Sequence, residues 1–419
     1  MDFSKIARGL REKVVRFSGE LSDHLGKTAH RFVTETVYGI LWSQSVMLTK
    51  IGRSLEDDVS LKKIEERFCR QLGKEGLWEK LHGGVLPKAA SKIFEDTLLI
   101  VDISDIRKKY AKKVEYLTTV RDGSEKVLGD GYWTLQVIGA QLNRKEIVPL
   151  YQSLYSQDAP DFKSENAEIL SAISMISGYT KKRGIWVIDR GGDRDTLFKP
   201  LLNNEQQFII RLVGTRDLIY KRIPNNTLEL AKVCPCPYAE TVVCIEEGKE
   251  KVHNIQYGYL PVRLPIHCKT PLWLLVVKGF GAKPLMLLTT EPLRRNRKVL
   301  RGILLSYIKR WSIEEIIRFV KQTYDLENIR VLRYICLKNM MALLLIVFYF
   351  LAVVLDANQK LRLLTGHVLE SAKRVFGVPD FAFYALGDGI SAIFRRNPGR
   401  IIPIPKRNWG SWQIALKFT

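Results

Sequence analysis

Two apolar runs that each stop on an aspartate constrain this chain most: Leu98-Leu99-Ile100-Val101-Asp102 and Ile185-Trp186-Val187-Ile188-Asp189. Short unbroken apolar stretches bounded by turn residues predict strands covered on both faces. Such strands sit in the middle of an α/β sheet, where a carboxylate at the strand end is held rigidly at the mouth of the sheet. Aspartate also ends strands as an ordinary turn or cap residue, so either acid alone reads more simply as punctuation.

The segments around these runs fit an α/β chain in five parts. Residues 1–95 predict a helical N-terminal domain, a small basic unit suited to reading DNA. HRFVTETVYGILWSQSVMLTKIGRSL carries apolar residues at mixed three and four spacing, and SLKKIEERFCRQL starts on Ser60 as an N-cap. Gly83-Gly84 and Pro87 then break the pattern. Across 96–213, strand-like runs (KVEYLTTV, GYWTLQVIGAQL, QQFIIRLV) alternate with helix-like ones (AEILSAISMISGYT, RDTLFKPLL). Residues 214–290, with prolines, cysteines and runs such as ETVVCIEE and PLWLLVVKGF, predict a β-rich insertion. A basic helix occupies 291–339, and 340–419 predicts a helical C-terminal region suited to dimer contacts. Met340–Leu355 is free of charge over its 16 residues. That is shorter than the roughly 18–20 a spanning helix needs, so the expectation is a buried helix and no membrane partner.

Charge points to the partner. Lys and Arg number 66 against 44 acidic residues, a net of +22, which suits a polyanion, nucleic acid before an anionic membrane. Cys234-Pro-Cys236, with Cys244, His267 and Cys268, fits no common zinc spacing and reads as reduced thiols. The histidines are dispersed, none beside a Ser or Cys nucleophile, which argues against triad hydrolases. The N-terminus, MDFSKIARGLREKVVRF, is basic and lacks an apolar h-region, so the expectation is a cytoplasmic protein.

A third acid joins the two aspartates in YIKRWSIEEIIRFVKQTY. Tyr307, Arg310, Glu314 and Lys321 fall within an arc of about 60° at ~100° per residue, with Ile313, Ile316, Ile317 and Val320 opposite. One carboxylate is thus bracketed by two cations and a phenol, an arrangement suited to holding a metal ion while gripping phosphates. The residues alone leave a solvated face of mixed charge equally open. The stretch from Arg294 to Lys338 carries twelve Lys or Arg against four acids, and as a strip it would line a DNA channel.

These four positions resemble the Y-(2)-R-(3)-E-(6)-K signature of DDE transposases of bacterial insertion sequences, in the insertion-sequence family four group. IVDISDIRK is similar to that family's first-aspartate strand. VIDRGGDRDTLFKPL is similar to its second-aspartate segment, with Asp193 at an extra-acid position, and FIIRL to the strand after it. The resemblance covers roughly residues 30 to 355. It implies a ribonuclease H-like catalytic core with a β insertion between the second Asp and the Glu. It implies two Mg²⁺ ions, with Mn²⁺ as an alternative, held by Asp102, Asp189 and Glu314. It also implies contacts from Tyr307, Arg310 and Lys321 to the DNA backbone at the transposon end.

The expected activity is cut-and-paste transposition: binding of terminal inverted repeats, cleavage, and transfer of 3′-ends into target DNA, within a synaptic homodimer on double-stranded DNA. A repurposed DNA-binding protein without activity on the same fold is the alternative, and a plain metal nuclease is a further one. Some relatives stack a flipped base on a Trp where this chain has Leu285, which argues against a hairpin intermediate or else moves the stacking role to Trp273 or Trp311. Asp105 and Glu315 are nearby acids. Asp105 lies beyond the apolar run and Glu315 points about 100° from Glu314, so Asp102 and Glu314 are preferred.

Overall fold

In a computed structural model of the chain, the apolar periodicity of the first ninety residues forms five helices: α1 (Phe3–Ser22), α2 (Lys27–Ser43), α3 (Leu48–Arg53), α4 (Leu61–Leu72) and α5 (Leu77–Ala90). The structure describes residues 2–109, 111, 113–121, 127–246, 249–371 and 382–402, and of these 243–246, 249–251, 311–312 and 365–371 by backbone alone. The tail with Trp409 and Trp412 lies outside the described residues.

The Asp2 carboxylate caps α1, accepting from the backbone N–H of Ser4 (3.1 Å) and Lys5 (3.2 Å). Ala7, Leu10, Val14, Phe17 and Leu21 then bury one stripe of α1, and Ile64, Phe68 and Leu72 do the same for α4. Glu35, buried in α2, is held between Arg31 (2.6 Å) and Arg67 (2.8 Å), which ties α2 to α4. His82 anchors α5 to the sheet. Its Nδ1 lies 2.9 Å from the Trp78 carbonyl, and the Gln152 N–H donates to its Nε2 at 3.3 Å, the hydrogen bonding of a neutral ring with its proton on Nδ1.

The chain then enters the sheet with β1 (Leu98–Arg107), β2 (Thr118–Arg121), β3 (Leu128–Ala140), β4 (Ile147–Tyr155), α6 (Glu165–Thr180), β5 (Ile185–Ile188), α7 (Asp195–Asn203) and β6 (Gln207–Arg211). β1, β3 and β4 are antiparallel neighbours, whereas β5 and β6 run parallel to β1 on its other side. After β6 come β7 (Asp217–Tyr220), β8 (Ile223–Asn226), α8 (Thr227–Val233), β9 (Tyr238–Glu246), β10 (Lys249–Leu264), β11 (His267–Lys278) and β12 (Leu285–Thr289).

These later strands are continuous with the core. β12 pairs antiparallel with β6 and with β11, so one sheet of twelve described strands runs from β2 to β8. The segment expected as a β-rich insertion is thereby hydrogen-bonded to the edge of the central strands.

Five helices close the chain: α9 (Arg297–Lys309), α10 (Trp311–Thr323), α11 (Tyr334–Tyr349), α12 (Ala357–Ser371) and α13 (Phe383–Arg396). α11 is apolar all round, and it packs on β4, α5 and α2. A π-turn, Phe350–Val354, extends it. Together, Tyr334–Val354 make a helical stretch long and apolar enough to cross a membrane, with mean hydropathy 2.2, yet 83% of its apolar window is buried inside the protein. Met340–Leu355 is therefore a central core segment: Phe17 of α1 stacks on Tyr349 at 5.8 Å, and residues 340–351 are covered by the rest of the chain.

Candidate active site

Asp102 and Asp189 are brought side by side by strand register. β1 pairs with β5 at Leu98↔Ile185, Leu99↔Trp186 and Ile100↔Val187. Continued two residues past the ladder, that register brings Asp102 and Asp189 to the same end of the two neighbouring strands, close enough for the charge of Asp189 to act on Asp102. Residues 98–101 and 186–188 are buried, so neither strand can slide or twist to part the two acids.

The turn after β5 is shaped around the second acid. The Asp189 carboxylate accepts the N–H of Gly191 at 2.8 Å. A Cβ on Gly191 would lie 2.9 Å from that carboxylate oxygen, and one on Gly192 would lie 2.8 Å from Ile188 Cγ2. The Gly-Gly pair is what lets the chain turn this tightly beneath the acid. Asp193, four residues on, is not part of the cluster: it pairs with Arg216 and accepts the N–H of Val213 at 2.8 Å.

Glu314 arrives from α10. The backbone stays helical between α9 and α10, but it tightens at Arg310, whose N–H donates to the Tyr307 carbonyl (3.1 Å) while its own carbonyl accepts from Ile313 (3.0 Å). Ile313, Ile316, Ile317, Phe319 and Val320 are buried beneath α10, which turns Glu314 outward with 53% of its side chain exposed.

Arg310 stands between the acids. Its Nη1 lies 3.4 Å from Asp102 Oδ1 and its Nη2 3.2 Å from Glu314 Oε1. The guanidinium lies 5.7 Å from the Tyr307 ring centre, and its Nε is buried without a hydrogen-bond partner among the described residues. Burial opposes the Arg310 charge, but Tyr307, Asp102, Glu314 and Asp189 together hold its pKa above the ordinary arginine range. The Asp102 carboxyl is pushed up to about 7. Burial is the main cause; Asp189 and Glu314 push the same way, and Arg310 opposes them. Asp102, Asp189, Glu314, Arg310 and Tyr307 therefore act on one another in one place. Asp105 turns to Lys321 and Glu315 to Arg318, which leaves Asp102 and Glu314 as the acids sharing Arg310.

Lys321 lies outside this cluster. Its Nζ is 3.4 Å from Asp105 Oδ2 and 3.6 Å from Glu327 Oε1. Leu285 is buried in β12 and presents no face to a base. Trp273, on β11, is half-buried, and the Trp311 side chain lies outside the described residues. Two further features carried no sequence signal: Arg310 as a bridge between the acids, and buried Gln136, directly across the ladder from Asp102 on β3.

Three carboxylates with an unfavourably buried member are a donor set of the hard-oxygen kind that Mg²⁺ or Mn²⁺ prefers. Among the described residues no three acidic, His or Cys side chains stand close enough to hold a metal ion. Arg310 lies between Asp102 and Glu314 and serves as the cation they share. The oxygen donors suit a divalent ion, and holding one calls for the three acids to draw closer than they stand here, with Arg310 displaced.

No family model matches the chain, and no curated protein does. Among solved structures, it is similar to piggyBac transposase in a synaptic complex with hairpin DNA, seen by cryo-electron microscopy. The identity is 15% and the TM-score 0.38, over 80% of this chain and 61% of that one. The chain thus spans less than two thirds of that transposase, and a likeness at this level carries no argument about chemistry.

Proposed function

We propose that this chain is a divalent-metal-dependent DNA transposase of the DDE type, with Asp102, Asp189 and Glu314 as its catalytic and metal-holding acids. The observation that carries the reading is their convergence: two aspartates on adjacent parallel strands and a glutamate on the covering helix all act on one buried guanidinium. The succession of antiparallel β4, β3 and β1 with parallel β5 and β6 supports a ribonuclease H-like core. The motif resemblance supports the insertion-sequence family four group.

When bound, two Mg²⁺ ions, or Mn²⁺ in their place, would activate water or a DNA 3′-hydroxyl and stabilise the leaving oxygen. The chain's own residues do the rest. The rigid ends of β1 and β5 fix Asp102 and Asp189, and α10 delivers Glu314. Arg310 has the planar fork that exchanges a carboxylate pair for a phosphate. As DNA backbone binds, it is the group that leaves Asp102 and Glu314 for the phosphate, with Tyr307 beneath it.

Arg294, Arg295 and Lys298, exposed at the start of α9, extend the basic track, and the net charge of +22 suits double-stranded DNA as substrate and target. The helical unit 1–95 is assigned to reading the terminal inverted repeats. Because residues 340–351 are covered by their own chain, dimer contacts in a synaptic complex fall to later parts of 340–419.

The test is incubation of the full chain and Glu314→Gln with Mg²⁺ and DNA bearing the repeats that flank its gene. Wild type should nick and join strands, while Glu314→Gln should bind the DNA and leave it intact. Equal cleavage by the variant removes Glu314 from the mechanism. The Arg310 bridge also suits a second reading, a DNA-binding protein whose acids stay sealed. Tight binding by wild type with no Mg²⁺-dependent products favours that one.

A further inference from the structure

We propose that Asp105 and Lys321 form a positioning clamp that sets the register of α10 along β1 and so holds Glu314 beside Asp102. The proposal rests on the reading of Asp102 and Glu314 as catalytic acids. It assigns Lys321 a part other than the DNA contact its motif position suggests.

Lys321 is poorly placed to meet a phosphate. Only 18% of its side chain is exposed, and its ammonium already lies between Asp105 and Glu327. Asp105 is more deeply buried, with 7% of its side chain exposed. An ion pair so far out of water differs from a surface pair: losing either partner weakens the compensation of a charge held in the interior.

The pair is one of three contacts that follow one another in step along both elements. Asp102 meets Arg310, which also holds Glu314. Asp105 meets Lys321. Buried Lys108 then donates its Nζ to the carbonyl oxygens of Glu327 (2.8 Å) and Ile329 (3.0 Å), in the turn after α10.

The spacing agrees. Asp102 to Asp105 spans about 10 Å of strand at ~3.3 Å per residue, and Glu314 to Lys321 about 10.5 Å of helix at ~1.5 Å per residue. A slip of one helical turn, about 5.4 Å, would part Lys321 from Asp105 and carry Arg310 and Glu314 together away from Asp102. The apolar floor of α10, with Phe319 packed against Tyr324 and Phe348, sets the helix against the core, and a buried charge pair that accepts a single register adds to it.

The experiment compares Asp105→Asn, Lys321→Met and the double variant in the full chain. It measures affinity for the flanking-repeat DNA without metal, the rate of Mg²⁺-dependent cleavage, and the thermal midpoint. Each single variant should bind DNA as wild type does yet cleave about 100-fold more slowly, as expected when a reacting group is misplaced by ~1 Å. The double variant should be no slower than the slower single, because both changes remove the same contact. It removes both charges of the pair and so disturbs folding less than either single variant; where a single variant does not fold, the cleavage of the double variant decides.

Weakened DNA binding by Lys321→Met with normal cleavage by Asp105→Asn overturns the clamp, as does a double variant that cleaves at the wild-type rate, or losses that multiply. Inactivity of wild type itself would strike the proposed function instead. The clamp would then be read from the thermal midpoints, where coupled losses sustain it and additive losses overturn it.

Discussion

Asp102 shows what a buried acid demands of its neighbours. Burial and two nearby carboxylates disfavour its charge, and one guanidinium offsets them. If Arg310 is the resident counter-ion of the site, Arg310→Gln should bind Mn²⁺ more tightly than wild type and DNA more weakly. Calorimetric titration with each ligand checks both, and unchanged Mn²⁺ affinity would show that the guanidinium does not compete. His82 makes a separate prediction. Burial pushes its pKa down from 6.5 to about 4, so the unfolded chain binds the proton more readily between those values. Stability from keeping His82 neutral is complete above about pH 6.5 and is lost as pH falls toward 4, by about 3 kcal/mol in all. Urea melts at pH 7 and pH 4.5 should show that loss in wild type and not in His82→Gln. At this scale the sequence was partly legible. The acids stood out because apolar runs ended on them, and Glu314 because of its motif. The Arg310 bridge and the Asp105–Lys321 pair left no local trace, since each joins residues about two hundred positions apart.

Among the elements, those with strong periodicity were the most readable. α1 and α4 bury stripes at the three and four spacing their sequences carry. The charge-free run at 340–355 forms the central helix and its π-turn because a helix apolar on every side has only the interior to occupy. Leu344 is fully buried in α11, so Leu344→Ala should cost about 2–5 kcal/mol, measured by denaturant unfolding. A loss below 1 kcal/mol would mean that α11 is not the packed centre described. The β-rich character of 214–290 was legible from composition. Its continuity with the core was not, because β12 pairs with β6 by backbone hydrogen bonds that side-chain pattern does not encode. The same limit applies to the α9–α10 segment. Its one-sided pattern gave a helix, but that Lys321 ends up against Asp105 depends on where β1 lies beneath it.

For the whole molecule, the fold places a cluster of acids within a strongly basic chain. On the proposed reading, the field of +22 draws DNA to the surface, while the acids concentrate repulsion where its backbone would be cut. Only a bound cation reconciles the two, and in this conformation Arg310 supplies it. The account therefore stands on Asp102, Asp189 and Glu314 forming one cation site although they come from β1, the end of β5 and α10. Mn²⁺ titration of the full chain, followed by electron paramagnetic resonance, tests this most directly against Asp102→Asn, Asp189→Asn and Glu314→Gln. The account predicts binding by wild type and its loss in each variant, with the fold intact. Wild-type affinity retained by any of the three would contradict a shared site.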